Sequence, residues 1–170
     1  MNKLLAKEIM LMAKRDQSMR NKIFTDKAWE IEVDQNNTER LKKIVDQYGW
    51  PTISLVGPRA SQAAWLLVQH ADLDLAFQKR CLESMEDIYH RLPKEINQKN
   101  IAYLTDRVLV AENKKQIFGT QFYKNEAGEF IPRPIENEST LDERRSKVGL
   151  NPFKDYFESM QTVGELPMKK

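Results

Sequence analysis

Residues 49–78, GWPTISLVGPRASQAAWLLVQHADLDLAFQ, decide how the rest of the chain is read. The stretch gathers Trp50 and Trp65, Pro51 and Pro58, a nearly unbroken apolar run, and one histidine, His70, flanked by polar groups. Gly57-Pro58 opens a helix, because a proline in the first turn gives up no hydrogen bond that the helix would use. From Arg59 to His70 alanine and leucine leave no polar face, which predicts a central helix. Ala60, Ala63, Ala64 and Ala71 let its neighbours come close. Asp72 then reads as the cap of a second helix whose stripe is Leu73, Phe77, Cys81, Met85, Ile88 and Leu92, ending near Pro93. The pair makes a tight hairpin with His70 at its bend.

Upstream, Asn36 and Asn37 read as helix caps, followed by Leu41, Ile44, Val45 and Tyr48 at helical spacing. Gly49 takes the left-handed conformation that closes this helix, and Pro51 prevents its continuation, which holds Trp50 at a corner. Ile53 to Val56 are too few to assign. Leu5, Ile9, Met12, Met19 and Ile23 share one face among lysines and arginines, so residues 3–22, within an N-terminal segment 1–24, read as an amphipathic helix.

Downstream, residues 100–111 favour helix. Gln116 to Tyr123 alternates and carries aromatics, Asn125 to Gly128 has turn chemistry, and Glu129 to Ile131 returns, which together predict a β-hairpin. Ser139 or Thr140 with Asp142 or Glu143 has the spacing of a capping box, and Gly149 ends the short helix that follows. Asn151-Pro152 opens a last helix with Phe153, Tyr156, Phe157 and Met160 on one face, and residues 164–170 read as a loose tail. The expectation is a single α+β domain over 1–170, mainly helical, with a core over 35–157 and one antiparallel β-hairpin.

A chain of 170 residues can bury about two thirds of its unfolded surface, so neither disulfide nor metal is needed to hold it together. Apolar residues at 41% and charged residues at 31% describe an ordinary globular protein, in keeping with its negative mean hydropathy. A net charge of +2 provides no concentrated field, so nucleic acid is not expected as a partner, although the first 22 residues are locally basic. No apolar run reaches membrane-spanning length, and Lys7 and Glu8 break the start, so a cytoplasmic protein without a membrane partner is expected. Cys81 is the lone cysteine, and neither CxxC nor HExxH occurs, so no metal and no cofactor are expected. Cys81 itself falls on an apolar stripe and reads as a small core residue.

The candidate chemistry lies in polar residues beside apolar runs, where each needs a partner. His70 stands first. The end of its helix and the carboxylates of Asp72 and Asp74 favour imidazolium, and burial opposes it, a balance suited to a general acid or base. The plainer reading has Asp72 only capping and His70 bonded to a carbonyl. Arg107, adjacent to Asp106, can grip a carboxylate or phosphate, or form a structural ion pair. In QIFGTQFY, Gly119 lets a ligand approach backbone, and Gln116, Thr120 and Gln121 can donate and accept, unless the segment is a strand with one wet face. Arg144 and Arg145 suit the C-terminal dipole of their helix. Ser54 and Ser61 lack a GxSxG context.

Taken together, Gly49-Trp50-Pro51-Thr52, Gln69-His70-Ala71-Asp72 with Phe77-Gln78, Asp106-Arg107-Val108, Gln116 with Gly119-Thr120-Gln121, and Arg144-Arg145 with Gly149-Leu150 resemble a bacterial family of unknown function. The resemblance covers roughly residues 35–157. Phe118 stands where that family leads one to expect tyrosine, which argues against a catalytic phenol there. The resemblance implies one domain type and brings no activity.

The function expected from the residues is a small cytoplasmic domain with a polar pocket centred on His70, a hydrolase or group-transfer enzyme acting on a small anionic or polar ligand. His70 would be the general base or acid, oriented by Asp72 or Asp106. Arg107, Gln69, Gln116, Thr120, Gln121 and Trp50 would bind substrate. The alternative is a non-catalytic module that docks a partner protein through the hairpin and the basic first helix, with the same residues forming a structural network. A sealed, fully paired network speaks for the module, and an open hollow beside His70 speaks for the enzyme.

Overall fold

The computed structural model describes residues 1–26 and 31–165, apart from the side chains of 22–26 and 163–165. The side chain of Ile23 and most of the expected loose tail therefore lie outside the described residues. The architecture is mainly helical α+β with a single two-stranded antiparallel sheet among the described residues. The chain divides into two compact units, Met1–Asn97 and Gln98–Lys170, a boundary inside the span read from sequence as one core.

The first unit holds α1 (Lys3–Asp26), α2 (Ile31–Tyr48), the single turn α3 (Ile53–Val56), α4 (Pro58–Gln69) and α5 (Leu75–Arg91), followed by a 3-10 turn at Pro93–Glu95. The central helix is α4, which packs against α1, α2, α3 and α5. Its Ala60, Ala63, Ala64, Leu67 and Val68 are buried, while Arg59 and Gln62 are exposed, so the helix has a polar side that the sequence reading did not expect. Gly57, with φ of +83°, sets the break between α3 and α4, and the Thr52 hydroxyl accepts from the Leu55 amide to start α3.

Two caps move. Helix α2 begins at Ile31, so Asn36 and Asn37 lie inside it and cap nothing. The cap of α5 is Asp74, whose Oδ1 accepts from the Phe77 amide at 2.9 Å, and not Asp72. At the ends of the expected α5 stripe, Leu73 and Leu92 are exposed because both fall outside the helix, whereas Phe77, Cys81 and Met85 are buried. Burial pushes the Cys81 thiol up to about 12, which keeps it an inert core group.

The second unit holds α6 (Gln98–Ala111), β1 (Phe122–Lys124), β2 (Phe130–Pro132), α7 (Leu141–Lys147) and α8 (Phe153–Glu165). The hairpin pairs Phe122 with Pro132, Tyr123 with Ile131 and Lys124 with Phe130, across a turn closed by Gly128. Its first strand starts later than expected. Gln116 makes an isolated parallel bridge to Ile135, and residues 117–121 form a loop, because Gly119 at φ +67° breaks the alternation. Phe122 contacts the rings of Phe153, Tyr156 and Phe157, which seats α8 through the face read from its spacing. Thr140 precedes α7 without a side-chain cap, so the capping box does not form. Instead the Asp142 carboxylate accepts from the Phe153 amide at 2.7 Å.

Candidate functional site: an aspartate–histidine pair on an open cleft

In α1 the apolar register Leu5, Ile9, Met12, Met19 is spaced by four, three and seven residues, and Asp16 fills the position between Met12 and Met19. That register carries Asp16 into the interior, where only 1% of it is exposed. A buried carboxylate must be paired. Arg20, one turn on, places Nε 3.2 and 3.3 Å from its two oxygens, and the Gln17 amide donates to Oδ2 at 2.7 Å. In α2, Asp34 stands seven residues before buried Leu41 and accepts from Arg20 Nη2 at 2.7 Å.

His70 completes the cluster. It caps the C-terminus of α4, where its amide reaches back to the carbonyls of Leu66 and Leu67, and the chain turns through Ala71 to Asp74. Buried Gln78 locks this bend by donating to the Val68 carbonyl at 3.1 Å and to Asp72 Oδ1 at 3.2 Å. The imidazole Nδ1 lies 2.8 and 3.0 Å from the two oxygens of Asp16, and Arg20 Nε lies 2.9 Å from the same nitrogen. Nδ1 cannot both donate to Asp16 and accept from Arg20. Two carboxylate oxygens against a lone pair would repel, so Nδ1 carries the hydrogen and Arg20 serves the carboxylate. The carboxylate bonded to the His70 ring is thus Asp16, a residue that the sequence reading, with Asp72 or Asp106 in that place, did not single out.

Every hydrogen bond of the ring runs through Nδ1, and Nε2 has no partner among the described residues. The side chain is 17% exposed and lines a cleft of about 380 Å³ with Asp34, Gln35, Thr38, Glu39, Leu73 and Asp74. Burial alone would raise the Asp16 carboxyl, but the hydrogen bond and charge of His70, with the bonds from Arg20 and Gln17, hold it below the ordinary carboxylate value. Burial raises Asp34, against the pull of Arg20 and with a further push from the negative Asp16. Lys42 bridges Glu39 and Asp74 at the cleft edge. Among the described residues no group of His, Cys, Asp and Glu is arranged to hold a metal ion. The arrangement can keep one imidazole tautomer, present its free nitrogen to a small molecule, and stabilise the imidazolium after a proton is taken.

The remaining sequence candidates are committed elsewhere. Trp50 is buried at the corner after α2, and Gln69 is buried on α4 with its carbonyl facing Gln78. In the second unit, Asp106 on α6 is fully buried and accepts from the amides of Ile117, Phe118 and Thr120 and from the Thr120 hydroxyl, at 2.7 to 2.9 Å for the shortest bond to each. Burial pushes its pKa up, and those four donors oppose the push. Gln116 is fully buried, donates to the carbonyls of Gln121 and Arg133, and accepts from the Gln121 amide. Gln121 in turn donates to Thr120 Oγ1. Arg107 lies half-buried next to Asp106 on α6.

Arg144 and Arg145 do more than complement a helix dipole. Arg144 donates to the carbonyls of Ile117, Glu136 and Asn137, while buried Arg145 donates to those of Phe118 and Asn151 and lies over the rings of Phe153 and Tyr156. Asp106, Gln116, Arg144 and Arg145 thus hold the backbone of the 117–121 loop.

Sequence reasoning missed Asp16, Arg20 and Asp34. The signal was present, since an aspartate in an apolar register with arginine four residues on marks a charge carried inward with its partner.

These features define a mainly helical α+β protein that carries a buried aspartate–histidine pair on one unit and a carboxylate-pinned loop on the other. The chain belongs to a family of unknown function, DUF6624, whose profile matches residues 3–169. No curated protein and no solved structure matches it. No helix among the described residues is long and apolar enough to cross a membrane.

Proposed function

We propose that the protein is a small hydrolase or group-transfer enzyme in which His70, oriented by Asp16, is the general base. The observation that supports this most is the pairing of His70 Nδ1 with an inaccessible carboxylate while Nε2 opens on a cleft. Nε2 takes a proton from water, or from an acceptor hydroxyl, as its oxygen bonds to an electrophilic carbon of the substrate. The bond to the leaving group then breaks, and the leaving group takes the proton back from Nε2. Asp16 balances the transient positive ring without accepting a proton itself.

The cleft suits a small neutral or cationic substrate better than an anionic one. Asp34, Glu39 and Asp74 line it, and Arg20 is already engaged by Asp16 and Asp34. The proposal needs only residues of the Met1–Asn97 unit.

The test is a panel of chromogenic esters, amides and amino-acyl anilides assayed with wild type, His70→Gln and Asp16→Asn. Turnover is expected for wild type on at least one class, with a loss of about 10²- to 10⁴-fold in kcat/KM for His70→Gln. Thermal-shift screening of polar and cationic metabolites runs beside it. Absence of turnover together with ligand stabilisation that His70→Gln leaves unchanged would overturn the reading.

A further inference from the structure

A second concavity lies between α1 and α4. Met10, Leu11, Ala13, Ala63 and Leu66 line an apolar groove of about 800 Å³. Met10 and Leu11 are 42% and 53% exposed, and Leu4, about two turns earlier, is 83% exposed. Large apolar side chains side by side on one helix face, next to a groove, are not the scattered single residues of an ordinary surface. The groove is open, with the small Ala13 and Ala63 where the helices meet, and methionine at the wall adapts to varied side chains.

The rim is cationic. Lys7, Lys14 and Arg59 stand around the groove, and none has a hydrogen bond or ion pair among the described residues. Three unmatched positive charges around an apolar trough are complementary to an apolar stripe flanked by carboxylates.

We infer that the groove between α1 and α4 docks an acidic amphipathic helix of a partner protein. Along α1 the lining runs from Lys7 to Gln17, which at 1.5 Å per residue is about 15 Å, or about three helical turns. Such a helix lays apolar side chains at i, i+3, i+4 and i+7 into the trough, with glutamate or aspartate reaching Lys7, Lys14 and Arg59. A bilayer fits this shape less well. Ala13 and Ala63 are only 7% and 6% exposed between larger side chains, where a protruding side chain reaches more readily than a lipid surface. A second copy would set the same positive rim against itself.

The experiment selects 16-residue helical peptides from a displayed library on the full chain. It then measures the winners by fluorescence anisotropy against wild type, Leu11→Asp and Lys14→Glu, both substitutions at exposed positions. Vesicles of neutral phosphatidylcholine, with and without anionic phosphatidylglycerol, and sedimentation of the protein alone run in parallel. The expected result is enrichment of acidic amphipathic peptides, with affinity lowered about tenfold or more by each substitution and weakened by salt. Three outcomes would overturn the inference. They are enrichment of peptides without acidic flanks, binding that neither variant weakens, and variant-sensitive adsorption to anionic vesicles or self-association in place of peptide binding.

Discussion

Two aspartates of this protein are equally hidden and serve opposite ends. Asp106 is 0% exposed and Asp16 is 1% exposed, so burial does not distinguish them. Their partners do. Asp106 is held by three backbone amides and a hydroxyl from a loop beginning eleven residues later, groups that neither titrate nor leave. Asp16 is held by the side chains of Arg20 and of His70, 54 residues away, whose ring lines a cleft and whose other nitrogen has no partner among the described residues. A carboxylate satisfied by backbone is a staple. One satisfied by an imidazole with a free nitrogen is, under the function proposed above, the support of a proton-transferring group.

The contrast can be broken most sharply at Asp106. Asp106→Ala orphans three amides at once and is expected to cost about 4 kcal/mol in urea unfolding. A loss below about 1 kcal/mol would show that the loop does not depend on the staple. Next comes Gly119→Ala. With φ at +67° and an added Cβ only 2.9 Å from Phe153 Cε2, the substitution strains the backbone and the ring together, and about 3 kcal/mol is expected from the same measurement. Gly128→Ala, also at positive φ but with no atom within 4 Å of an added Cβ, is the milder control.

Asp16→Asn is expected to cost about 2 kcal/mol at neutral pH, and the more telling readout is its pH dependence. The folded Asp16 carboxyl titrates below its ordinary value of 3.8, so between those two values the unfolded chain holds more protons than the folded one. The stabilisation is complete above the unfolded value and drains away as pH falls through the folded one. Wild type should therefore lose stability more steeply than Asp16→Asn below about pH 4, and parallel acid limbs would refute the assignment. The smallest effect is expected from Thr120→Val, which removes one of the four donors to Asp106 at about 1 kcal/mol and should leave any turnover intact.

Much of the scaffold was legible because it rests on local rules. The helix-opening Gly57-Pro58, the alanine- and leucine-rich inner face of α4, the closing Gly49 and the aromatic face of α8 follow from backbone sterics and periodicity. The misplaced caps share one cause. Asn36, Asn37 and Asp72 have capping chemistry, but helix propensity upstream and the choice of Asp74 two residues later settle where a helix starts, and a side chain able to cap is not thereby the one that does. The QIFGTQFY segment misled in the same way. Its alternation reads as a strand, whereas its amides are taken by Asp106, a competitor eleven to fourteen residues earlier in the chain.

The site itself was half visible. His70 stands out at the bend, whereas Asp16 is a single carboxylate in a helix whose lysines and arginines dominate its composition. The register placed Asp16 on the apolar face all the same, since positions 12, 16 and 19 lie within one helical stripe.

The chain alone thus determined where helices run, which faces they bury, and that a histidine ends the central one, because these depend on periodicity and on the backbone limits of glycine and proline. Only the tertiary structure decided which carboxylate meets that histidine, which nitrogen is left open, and which polar residues are spent on pinning a loop. Those outcomes depend on distances between helices far apart in sequence, and one ångström there separates a hydrogen bond from none.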